Sequence, residues 1–134
     1  MRKLQLAADA GDAGAQFNLG VMLHGRPDGA DQAAGRNRAE AIDWLLKSAL
    51  QGLPRAHAKL AEVYGSAPLA AGDEVRACTW FLVATTSTSG IHLHRAKTEY
   101  DRLIARLRPG QLEKAKREAR AIVKALRERA ASAA

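Results

Sequence analysis

The chain has 134 residues, a net charge of +7 and 47% hydrophobic residues, which suits one folded domain and argues against wholesale disorder. Alanine (29 residues) and leucine (16) dominate, whereas Val and Ile together number nine and aromatics make up 4%, a balance that favours helices over strands. A single cysteine excludes an intrachain disulfide, and no apolar run reaches the roughly 18 residues of a membrane helix.

At the N-terminus, Met1-Arg2-Lys3-Leu4-Gln5-Leu6-Ala7 starts as a secretory leader might, but Asp9, Gly11 and Asp12 interrupt it before an apolar core is complete. A complete chain of this kind is expected in the cytoplasm. Helical spacing of apolar residues predicts a first helix over Ala13 to His24 and a second over about Asn37 to Gln51, joined by a long loop at 24–38 rich in Gly, Asp and Ala. Gly52 is placed to end the second helix in the left-handed conformation, and Pro54 to open the next. Further helices are expected over Pro54 to Tyr64, from Gly72 or Asp73 to Thr86 with Asp73 as N-cap, and over about His92 to Arg106. A last helix, about Pro109 to Ala131, gathers Leu112, Ala115, Ala119, Ile122, Val123 and Leu126 on one face and Lys and Arg on the other.

The chain repeats itself. With an offset of 41, Ala8, Gly11, Ala15 and Leu19 fall on Ala49, Gly52, Ala56 and Leu60; with an offset of 36, Ala41 and Trp44 fall on Ala77 and Trp80. Small residues (Ala15, Gly20, Ala41, Ala49, Ala56, Ala61, Ala77, Ala84) recur where paired helices must approach. Leu19, Trp44, Leu60, Tyr64 and Trp80 fill the gaps between them. Recurrence at the repeat spacing assigns both tryptophans to packing.

The pattern Ala15-Gln16-x-x-Leu19-Gly20-x-x-Leu23, then Glu40-Ala41-x-x-Trp44-Leu45-x-Lys47-Ser48-Ala49-x-x-Gly52-x-x-x-Ala56, resembles the Sel-1-like repeat family. Ala56-His57-x-x-Leu60-Ala61-x-x-Tyr64 and Arg76-Ala77-x-x-Trp80-Phe81-x-x-Ala84 resemble a second copy. The segment Tyr100 to Ala115, with Pro109, Gln111 and Leu112, looks like the closing segment of many bacterial members. The chain departs from the family in its interhelix loops, His24 to Gly29 and Tyr64 to Pro68, and in Ala61 where the family has Gly. The resemblance implies an all-α fold: a right-handed α/α superhelical solenoid of stacked antiparallel helix pairs, related to tetratricopeptide repeats. Residues 1–11 are then a partial repeat or cap, 12–52 repeat one with the enlarged loop 24–38, 53–90 repeat two, and 91–134 a third pair closed by the long basic capping helix. That helix is expected to cover the apolar side of the helix before it through Leu112, Ile122, Val123 and Leu126.

Little in the sequence carries chemistry. No P-loop, G-x-G-x-x-G or G-x-S-x-G motif occurs around the glycines or around Ser48, Ser66, Ser87 and Ser89. His92 and His94 are two apart, which on a helix turns them to different sides, and no Cys or carboxylate cluster accompanies them. Cys78 aligns with apolar Ile42 and reads as a packed thiol. No catalytic residue, metal site or cofactor is expected.

The resemblance further implies a concave surface lined by the first helix of each repeat. Around Leu19 it selects Phe17, Val21 and His24; around Leu60 it selects Arg55, Ala58 and Glu62; in the third unit it selects Arg95, Thr98 and Arg102. An apolar section beside an arginine-bearing one suits a peptide with an apolar anchor and a carboxylate. The expected function is a non-catalytic scaffold that binds a peptide or partner protein on that surface. The alternative rests on charge. The first ninety residues balance nine Lys/Arg against nine Asp/Glu, whereas residues from Ile91 carry twelve against five. A basic C-terminal helix of this kind suits an anion or nucleic acid, although interleaved aromatics for base stacking are lacking.

Overall fold

Seven helices and no strand form among the residues described by the computed structural model, 2–24, 31–65, 72–87 and 90–133. They are α1 (Arg2–Asp9), α2 (Ala13–His24), α3 (Asp31–Leu50), α4 (Pro54–Gly65), α5 (Asp73–Ala84), α6 (Gly90–Ile104) and α7 (Pro109–Ala133). At 31–36, 92 and 133 only the backbone is described. Residues 25–30 and 66–71, with Ser66, lie outside the described residues, as do Ser89 and the side chain of His92. The chain divides into two compact units, Met1–Ala56 and His57–Ala134, with the boundary in the first turn of α4.

In the first unit α2 packs on both α1 and α3. Asp12 caps α2, accepting the Ala15 amide at 2.9 Å, and Gly11 makes the preceding turn at a φ of 100°. Ala8, Ala15, Leu19, Leu23 and Ala41 form the core, with Leu4, Ala7 and Trp44 packed on it. Gly20 lets α2 and α3 meet: a Cβ there would stand 2.8 Å from Leu45 Cγ and 3.1 Å from the Ala41 carbonyl oxygen. Polar side chains fasten the end of α3 to the α1–α2 turn. Ser48 Oγ donates to the Ala13 carbonyl (2.8 Å), and Gln51 Nε2 donates to the Gly11 carbonyl (3.0 Å) and Gln16 Oε1 (2.8 Å). Gln16 in turn donates to the Ala8 carbonyl at 3.1 Å, which leaves its buried amide paired.

Two expectations for this unit change. Helix α3 begins at Asp31, so the long loop expected at 24–38 gives up its second half. Gly35 weakens a helix by about 1 kcal/mol relative to alanine, and α3 tolerates it. Trp44 is half-buried rather than enclosed, and the Lys47 ammonium lies 4.4 Å from its ring centroid.

In the second unit α5 is the central element, buried at Val75, Ala77, Cys78, Thr79, Trp80, Phe81, Val83 and Ala84, and packed by both α6 and α7. Trp80 stacks on the buried His57 ring at 5.8 Å between centroids, and Phe81 on Tyr100 at 4.3 Å. His57 Nδ1 is 2.8 Å from Ser87 Oγ. Gly65 brings α4 close to α6, where an added Cβ would touch Glu99 and Leu103 at 3.4 Å.

Two corrections arise here. Asp73 is the first residue of α5 rather than its cap; Gly72 caps it at a φ of 84°, with no side-chain hydrogen bond. The buried Asp73 carboxylate instead accepts from Arg76 Nη1 at 3.1 Å, one turn on, and lies in the first turn where the helix dipole favours a negative charge. Helix α7 packs along α5, and its buried positions are Ala115 and Ala119. The four large residues chosen for the contact, Leu112, Ile122, Val123 and Leu126, are only half-buried. Alanine allows the closer approach of two helices, so the small residues take the seam and the large ones flank it.

Positions equivalent by the offsets of 41 and 36 are buried in pairs: Ala8 with Ala49, Ala15 with Ala56, Leu19 with Leu60, and Ala41 with Ala77. Gly11 and Gly52 both adopt positive φ, 100° and 92°, in the turns that follow helices α1 and α3.

Candidate functional site

The reactive side chains are held in packing. Burial, with a smaller push from the Glu74 carboxylate, raises the Cys78 thiol from 9.0 to about 11. An unfolded chain ionises this thiol near pH 9, so its contribution to stability is complete below that pH. The contribution is lost as pH rises through about 11. A thiol reagent at about pH 8 is expected to leave Cys78 unmodified until denaturant is added. Rapid stoichiometric labelling of the folded protein would contradict its burial. Among the described residues no group of three or more His, Cys, Asp and Glu is arranged to hold a metal ion, and no helix is long and apolar enough to cross a membrane.

The residues selected for a concave surface fall into separate groups. Phe17 and Arg55 meet in the first unit, with the guanidinium carbon 5.0 Å from the ring centroid. This is a cation–π contact that satisfies the two residues with each other. Val21 and His24 are half-buried along the same helix as Phe17. Ala58 is buried, at 3% exposure, and so presents no surface.

In the second unit Glu62 on α4 and Arg95 and Thr98 on α6 line one shallow depression of about 270 Å³, with His94 and Glu99. Glu62 pairs with Lys59 at 3.5 Å, Thr98 Oγ1 donates to the His94 carbonyl at 3.2 Å, and Arg102 pairs with Glu99. Most of the charge in this depression is therefore already answered. Arg95 is the exception, with no ion pair among the described residues.

A larger groove lies between α5 and α7, with a volume of about 600 Å³. Leu82, Ala119 and Val123 supply its apolar lining, and Thr86 lines it from the turn that follows α5. Lys116, Arg120, Lys124 and Arg127 border it on α7, together with one carboxylate, Glu128. Lys116 has a loose, solvent-exposed pair with Glu113 at 3.5 Å. Arg120, Lys124 and Arg127 are exposed and have no ion pair among the described residues. The groove was only half legible in the sequence. The cations of the last helix stand out there, but the apolar lining depends on Leu82, more than thirty residues away, and on which helix α7 packs against.

Comparison with known protein families, with curated proteins and with solved structures finds no match to the chain.

Proposed function

We propose that the chain is a non-catalytic helical-repeat module of the Sel-1-like kind, its helix pairs stacked as a right-handed solenoid, and that it binds a partner polypeptide. The paired burial at repeat-equivalent positions and the two equivalent glycine turns support the repeat. The observation that carries the binding reading is the α5–α7 groove. An apolar surface bordered by Arg120, Lys124 and Arg127, which have no ion pair among the described residues, leaves hydrophobic area and charge to be satisfied from outside.

A second reading keeps the partner on the α4–α6 depression, because Glu62, Arg95 and Thr98 converge there and Arg95 is unpaired among the described residues. The two are separated by charge reversal, Arg120→Glu with Arg127→Glu for the groove and Arg95→Glu for the depression. The groove reading expects the first variant to lose the partner recovered from the native source and the second to keep it. The opposite result moves the site to α4–α6. Retention by both variants would remove each surface from consideration.

A further inference from the structure

We propose that the α5–α7 groove receives an acidic amphipathic helix of a partner protein, one that presents an apolar stripe bordered by about one carboxylate per turn. The proposal rests on the binding-module reading and names the occupant of its groove.

Three observations specify that occupant. The first is the spacing of the cations. Lys116, Arg120, Lys124 and Arg127 follow one another at steps of four, four and three, so they form a row along one side of α7. At 1.5 Å per residue the row is about 16 Å long, or three turns. A helix lying in the groove would repeat its own carboxylates at the same pitch, so each turn of the partner meets a cation.

The second is the cost of the row to the free protein. Lys116, Arg120 and Lys124 are like charges at i, i+4 spacing, which weakens an isolated helix where opposite charges would strengthen it. Glu113, Glu118 and Glu128 show that the helix carries carboxylates, yet none separates these three cations in the row. Carboxylates from a partner would remove this repulsion on binding.

The third is the apolar lining. Leu82 and Val123 are half-buried, and Ala119 forms the seam between them. A phosphate backbone offers nothing apolar to cover these residues, and no aromatic side chain lines the groove for a base to stack on. A small anionic amphiphile would place one headgroup against a row of cations three turns long. A second copy of this chain does not fit, because no described helix carries carboxylates once per turn along one face. An amphipathic helix with an acidic border matches both the stripe and the row.

The test uses a labelled helical peptide with Glu at i, i+4, i+7 and i+11 beside a Leu/Ala stripe. A scrambled peptide of the same composition and a single-stranded oligonucleotide of equal charge serve as comparisons. The patterned peptide is expected to bind the full chain at least about tenfold more tightly than the scrambled one, the combined effect of several individually weak exposed pairs and the covered stripe. Arg120→Glu with Arg127→Glu is expected to abolish that preference. The same change is expected to leave the melting temperature of the free protein unchanged or higher, because Arg120→Glu converts two repulsive i, i+4 pairs into attractive ones.

Equal binding of the scrambled peptide, tighter binding of the oligonucleotide, or no binding of the patterned peptide would each overturn the proposal. If the patterned peptide fails while the native partner still depends on Arg120 and Arg127, only the occupant is wrong. If the native partner ignores both residues, the groove itself is wrong.

Discussion

Trp80→Ala is expected to cost about 3–5 kcal/mol of unfolding free energy, the range for truncating a large buried aromatic. That is a large share of the roughly 5–15 kcal/mol available to a small domain. Trp80 is 6% exposed, sits on the central helix of the second unit and stacks on His57. Removing the indole opens a cavity beside an imidazole that is itself buried and engaged with Ser87. Trp44→Ala, in the first unit, is expected to cost clearly less, because Trp44 is half-buried and shares its outer face with the Lys47 ammonium. Denaturant unfolding of the two variants checks the order. A Trp80 variant that melts with the parent would contradict the packing of α5.

The contact between α2 and α3 gives the second large effect. Leu45 is fully buried, and Leu45→Ala is expected to cost about 2–5 kcal/mol through lost burial and a residual cavity. Gly20→Ala sets two opposing effects against each other. Alanine is better than glycine inside a helix by about 1 kcal/mol, but the new methyl would meet Leu45 Cγ at 2.8 Å and the Ala41 carbonyl oxygen at 3.1 Å. Overpacking of this kind costs about 1–3 kcal/mol, so the single variant is expected to lose stability. With Leu45→Ala already present, most of the clash is gone and Gly20→Ala is expected to become neutral or stabilising. A double-mutant cycle measured by urea unfolding reads this change of sign directly. Additive effects would mean that the two side chains do not meet.

Helix positions and the small-residue contacts were legible because they are written in local spacing. Ala13 to His24 emerged with both ends as expected, and Gly20 was marked as a close-approach site by its place in the repeat. Several features depended on information that local spacing does not contain. The start of α3 turned on whether a helix tolerates Gly35 and Asn37. The Asp73 carboxylate had a competing partner in Arg76, which no capping rule reveals. The seam of α7 went to Ala115 and Ala119 although larger apolar residues were available, because close packing rewards shape as well as hydrophobicity. The candidate surface followed the same division. Arg95 and Thr98 share one face of α6 through helical periodicity alone, whereas Glu62 joins them only because α4 packs near α6, and the α5–α7 groove likewise needs a long-range pairing of helices to exist.

The binding reading is tested most directly by measuring, on the same preparation, the melting temperature of Arg120→Glu with Arg127→Glu and its affinity for the partner recovered from the native source. The account predicts a melting temperature equal to or above that of the parent, with partner affinity reduced about tenfold or more. An unchanged affinity in a variant that folds normally would contradict the groove as the functional surface.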